Sequence, residues 1–102
     1  MQIDERTVGD VVVLNVTGEI TLGVGEEMLR DKVNSLVAGG QHKLVFDLAQ
    51  VPYIDSAGLA EIVRAYTTVT RLGGSLELIN LSKKISDEFW STRLLRLFKF
   101  RK

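Results

Sequence analysis

The 102-residue sequence predicts an α/β fold: a small mixed sheet flanked by helices, in the order β-β-α-β-α-β-α. Three features predict it. Short β-rich runs alternate with segments whose apolar residues recur at helical spacing. Glycine pairs at 39–40 and 73–74 close the two clearest helical segments. Between them, Leu44, Val45, Phe46 and Leu48 form a nearly continuous apolar run, the pattern of a strand covered on both faces in a parallel sheet.

In chain order, "QIDERTV" and "VVVLNVTG" are two strands joined by Gly9-Asp10, a hairpin turn signal. "EITLGVGEE" leads through a turn into a helix, on which Leu29, Val33, Leu36 and Val37 fall on one face. "HKLVFDLAQV" supplies the apolar strand. A second helix follows, with Leu59, Ile62, Val63, Tyr66 and Val69 expected to face the sheet. "SLELIN" alternates as a strand. Trp90, Leu94, Leu97 and Phe98 then predict a third helix. Five Lys or Arg and no acid within residues 93–102 suit its C-terminal dipole or, as the rival reading, form a basic contact surface for an acidic partner or membrane. Parallel neighbours should be joined by right-handed crossovers.

The length fits one domain, residues 1–102, with a core that needs no staples. At 45% apolar and 25% charged residues, the chain reads as globular and not disordered. A net charge of zero supplies no global field to recruit nucleic acid or an anionic membrane. The absence of cysteine removes disulfides and thiolate metal sites and fits a reducing compartment. The charged N-terminus lacks a signal peptide's apolar region, and no apolar run approaches the roughly 20 residues that span a bilayer. A soluble, cytoplasmic protein is expected.

The functional question centres on "VPYIDSAGLAEIV", residues 51–63, where a β-rich run gives way to a helix at Asp55-Ser56-Ala57-Gly58. Ser56 there is a nucleophile, a helix cap or a phosphate acceptor. As a nucleophile it lacks the first glycine of a nucleophile elbow, because position 54 is Ile. The sole histidine, His42, is expected on the surface at the opposite end of the strand over 43–48, roughly 20 Å away. Hydrogen-bond reach is about 3 Å, so a small serine hydrolase is the remote alternative. "GVGEEM" at 23–28 begins like a dinucleotide loop, yet Met28 stands at the third glycine position and no P-loop lysine occurs. It reads as a turn into a helix. Asp4, Asp47, Asp55 and Asp87 are scattered, with neither a histidine pair nor a calcium loop, so no metal site is expected. As a cap, either Asp55 or Ser56 can accept a hydrogen bond from an orphan N–H. Since Asn caps nearly as well, Asp55→Asn is expected to leave the melting temperature close to the parent's.

The run "LVFDLAQVPYIDSAGLAEIV", with "GEIT" upstream and "GGSLELIN" downstream, resembles the STAS domain (sulfate transporter and anti-sigma factor antagonist) over residues 3 to about 85. The resemblance is strongest to stand-alone bacterial anti-sigma factor antagonists. It implies a non-enzymatic phospho-switch with Ser56 as phosphoacceptor at a helix N-terminus. Partner contacts would fall on Asp55, Ser56, Ala57 and Gly58, the glycine allowing close approach. The implied partners are an anti-sigma factor serine kinase, which brings the ATP site, and a serine phosphatase. In this scheme the unphosphorylated chain binds the kinase and frees the sigma factor. No cofactor, nucleic acid or membrane contact is implied. The same resemblance admits a subunit of a stressosome-like scaffold or of a lipid-transport complex. The basic C-terminal segment departs from the family pattern.

Overall fold

The computed structural model describes residues 1–91 and 99–101. Its elements are β1 (Gln2–Val8), β2 (Val11–Thr17), α1 (Val24–Ala38), β3 (Lys43–Gln50), α2 (Ser56–Arg71), β4 (Ser75–Ile79), α3 (Lys83–Ser91) and β5 (Lys99–Arg101). The five strands lie in sequence order across one sheet. β1 and β2 are antiparallel, with Val8 opposite Val11 across a two-residue turn. Gly9 takes φ 63° there, the left-handed region open to glycine. From β2 onward every pairing is parallel.

This order places the helices. The parallel steps run β2 to β3 to β4 to β5 without reversing direction. Crossovers of one hand therefore lay their helices on the same side of the sheet. The packing agrees. Leu29, Val33 and Leu36 of α1, Ile62, Ala65 and Val69 of α2 and Ile85 of α3 share one core. Val12, Leu14, Val16, Leu44, Phe46, Leu48, Leu76 and Leu78 enter that core from alternate positions of β2, β3 and β4. Leu59, Val63 and Tyr66 are half-buried against it.

β3 corrects one expectation. Leu44, Phe46 and Leu48 are buried, but Val45 and Asp47 are only half-buried and Lys43 is exposed. Its apolar run is covered fully on one face only, because helices on a single side leave the other face to Val45 and Asp47. The C-terminal end brings another. α3 starts well before Trp90, while Leu94, Leu97 and Phe98 lie outside the described residues. Lys99-Phe100-Arg101 forms β5, pairing with Glu77, Leu78 and Ile79 of β4. Two of the basic residues assigned to a helix end thus belong to a strand. The polar-apolar-polar rhythm of "KFR" is a strand period that the longer helical spacing obscured.

Candidate functional site at the start of the second helix

Beyond the ends of β2 and β3 the chain forms two turns, residues 18–23 and 51–55, and these remain laced together. Gly18 N–H donates to Gln50 O at 3.0 Å and Ile20 N–H to Tyr53 O at 3.1 Å. Asp55 N–H donates back to Ile20 O at 3.2 Å, and Ile20 bridges Ile54 in parallel fashion. Ile20 and Ile54 are buried, so the lacing carries an apolar anchor as well as hydrogen bonds.

Asp55 caps α2 from an extended backbone conformation, φ −89° and ψ −177°. Its Oδ1 accepts from Gly58 N–H at 2.8 Å, satisfying an orphan donor of the first turn. Its Oδ2 accepts from Leu22 N–H at 2.9 Å, across 33 residues of sequence. These bonds, Leu22 first and then Gly58, hold the Asp55 carboxyl below the ordinary carboxylate range, since both stabilise the ionised form. The carboxylate is therefore a two-sided clamp between α2 and the turn before α1.

Ser56 is the first residue of α2 and is exposed, and its hydroxyl makes no hydrogen bond among the described residues. Ala57 is half-buried. Gly58 is buried, and a Cβ built there would lie 2.0 Å from Ile20 O, 2.8 Å from its carbonyl carbon and 2.9 Å from its Cγ2. The close approach that Gly58 permits is internal. It seats the first turn of α2 on the backbone of Ile20.

The glycines of "GVGEEM" have equally local work. Gly23 is the N-cap residue of α1 at φ 96°, and a Cβ on Gly25 would lie 2.5 Å from Glu19 O. Glu26 pairs with Arg30 at 3.0 Å. Tyr53 lies under Lys84, whose Nζ is 5.2 Å from the ring centroid. His42 is half-buried and not on the surface as expected; its Nδ1 is enclosed without a partner. It precedes β3 while Ser56 follows it, so β3 separates the two. Among the described residues no group of three or more His, Cys, Asp or Glu comes together as a metal site. Nor is any helix among them long and apolar enough to cross a membrane.

Two contributors escaped the sequence reading. Leu22, which supplies the second amide on Asp55, carries no motif of its own. Glu61 is only 4% exposed on α2, with Arg64 Nε donating to its Oε1 at 2.7 Å. Arg64 Nη2 sits 2.6 Å from the same oxygen, a charge contact without an aligned hydrogen bond. The spacing of Glu61 and Arg64 reads as an exposed helical pair, and only the packing shows the carboxylate to be buried.

A one-sided α/β layer, with its helices on one face of a mixed sheet and an exposed serine opening the second helix, defines the class of fold. The chain belongs to the STAS domain family, whose model matches residues 2–102. It is 34% identical over 98 residues to the anti-sigma-B factor antagonist of Bacillus subtilis (strain 168), covering 96% of this chain and 80% of that protein. A Thermotoga maritima crystal structure, a candidate anti-sigma factor antagonist, superposes with TM-score 0.92 at 25% identity, covering 98% of this chain and 86% of that one. The phosphorylated form of the Bacillus cell fate determinant SpoIIAA superposes with TM-score 0.77 at 17% identity, covering 99% and 92%. That last likeness is one of fold.

Proposed function

We propose that this chain is an anti-sigma factor antagonist working as a non-enzymatic phospho-switch. In its unphosphorylated form it binds an anti-sigma factor kinase and so frees the sigma factor. Phosphorylation of Ser56 by that kinase ends the complex, and a serine phosphatase restores it. The observation that carries this reading is the exposed, unbonded Ser56 hydroxyl at the first position of α2. Kinship with the Bacillus antagonist supports it.

Electrostatics support a switch that acts on the partner and not on the fold. A phosphoserine adds about −1.5 to −2 charges. The helix N-terminus favours that charge, while the neighbouring Asp55 carboxylate opposes it. Opposed local effects leave the fold in place, so the added charge and bulk act on the partner, which meets a dianion where it had met a hydroxyl. Asp55 holds the start of α2 in register, and Gly58 keeps it seated on Ile20.

The test is phosphorylation with an anti-sigma factor kinase and ATP, with the modified residue located by mass spectrometry. Ser56→Ala should bind the kinase like the parent and take no phosphate. Ser56→Glu should bind more weakly while its circular dichroism stays that of the parent. Equal affinity of the two variants would refute a charge switch at Ser56.

A further inference from the structure

Six large apolar side chains are exposed among the described residues: Val8, Leu22, Val24, Met28, Tyr53 and Leu72. Val8 borders the β1–β2 turn and Leu72 caps the far end of α2. Leu22 differs from these in being tied to the Ser56 end of α2 through its N–H on Asp55, and Val24 follows it two residues on. They are the most exposed of the six, at 76% and 68%. Tyr53 is nearby in the lacing, but Lys84 lies over its ring.

Leu22 itself has little burial to fix it, so the order of its backbone comes from hydrogen bonds. Here those bonds are specific. Leu22 N–H donates to Asp55, Glu26 N–H to Thr21 O at 2.9 Å and Glu27 N–H to Gly23 O at 2.9 Å. A carboxylate 33 positions away thus holds the backbone beneath a leucine that is 76% exposed. Holding an apolar side chain still before contact lowers the ordering cost of binding, and a desolvated apolar anchor is where interface energy concentrates.

We infer that Leu22 and Val24 are apolar anchors for the kinase that reads Ser56, and that Asp55 is the positioning residue that aligns them with it. The inference rests on the functional reading above and adds to it. The occupant is an apolar recess on that kinase, entered by Leu22 and Val24 while Ser56 approaches the phosphoryl donor. Asp55 acts through the Leu22 amide, which ties the turn to the residue preceding Ser56.

The experiment has two arms. In the first, amide hydrogen exchange is followed in the isolated chain. Asp55→Asn should speed exchange at Leu22 about tenfold, as expected for loss of a charge-assisted hydrogen bond, while amides of β3 keep the parent's rates. Unchanged exchange at Leu22 overturns the positioning role, whatever any partner does. The second arm uses a purified anti-sigma factor kinase chosen because it phosphorylates Ser56 of the parent. Leu22→Ser and Val24→Ser should each weaken the unphosphorylated complex about tenfold and melt like the parent. Val8→Ser and Leu72→Ser should bind as the parent does. Parent-like affinity of both Leu22→Ser and Val24→Ser overturns the anchor assignment with the switch intact. If none of the anti-sigma factor kinases screened modifies Ser56 of the parent, the switch is overturned, and the anchor assignment with it.

Discussion

Replacing Gly58 with Ala sets a gain in local propensity against a tertiary clash, and the geometry decides between them. Ala improves on Gly in a helix by about 1 kcal/mol. The added Cβ, however, would sit 2.0 Å from Ile20 O, and real Cβ atoms essentially never come within 3.0 Å of such an atom. Relief requires α2 and the Ile20 backbone to part by about 1 Å. Ile20 cannot turn its carbonyl aside, because that oxygen accepts from Asp55 N–H and its own N–H donates to Tyr53 O. Overpacking of this kind costs about 1–3 kcal/mol, and a backbone obstacle puts it at the upper end. Net destabilisation is then about 2 kcal/mol, a fall in melting temperature of about 8–16 °C for a domain this size. Thermal and urea unfolding followed by circular dichroism measure it. Gly74→Ala is the control: its Cβ would lie 1.8 Å from His42 O, at the opposite end of β3. Both variants should melt lower, but only Gly58→Ala should speed amide exchange at Leu22. A Gly58→Ala protein that melts at or above the parent's temperature would refute the seating of α2 on Ile20.

Two further outcomes follow from the charged groups. The folded-state pKa of Asp55 lies below the ordinary value, so its contribution is complete above the unfolded value of about 3.9 and is lost as pH falls through the folded one. The melting-temperature gap between parent and Asp55→Asn should therefore narrow below about pH 4; a gap independent of pH would contradict the clamp. Asp10, paired with Lys43 at 2.7 Å, shifts in the same direction, so the comparison is best made in an Asp10→Asn background. Arg64→Met should destabilise the chain by about 1–3 kcal/mol by leaving Glu61 buried without its cation. That lies below the loss for a fully enclosed pair because the Arg64 side chain is 36% exposed. Urea unfolding measures it, and Glu61→Gln combined with Arg64→Met should recover part of the loss.

Much of the fold was legible because its signals are periodic and local. Gly9-Asp10 marks the hairpin, and Gly39-Gly40 and Gly73-Gly74 follow the helices they were expected to close. Leu29, Val33 and Leu36 lie on the buried face of α1, and Ile62 and Val69 on that of α2. What misled was periodicity with two readings. An apolar run such as Leu44 to Leu48 fits a strand covered on both sides and equally a strand with one buried face and a half-covered Val45. Which holds depends on where the crossovers place their helices, and strand order is a long-range property. The spacing of Trp90, Leu94, Leu97 and Phe98 hid the shorter alternation of Lys99-Phe100-Arg101 in the same way.

The candidate site divides along the same line. Asp55 as a cap follows from three consecutive facts of sequence: an acid, a serine, and a helical apolar pattern immediately after. Its second role does not, because Leu22 is 33 residues away and any residue except proline offers an amide. That unseen bond reverses an expectation. If Asp55 were only a cap, Asn would replace it at little cost, since one carbonyl oxygen suffices for Gly58 N–H. With donors on both sides, an Asn oxygen kept on Gly58 N–H as the cap leaves the amide nitrogen's own N–H turned toward Leu22 N–H. Two donors face each other and the second bond is lost. Asp55→Asn should accordingly melt below the parent, and the turn bearing Leu22 is where the structure should loosen first.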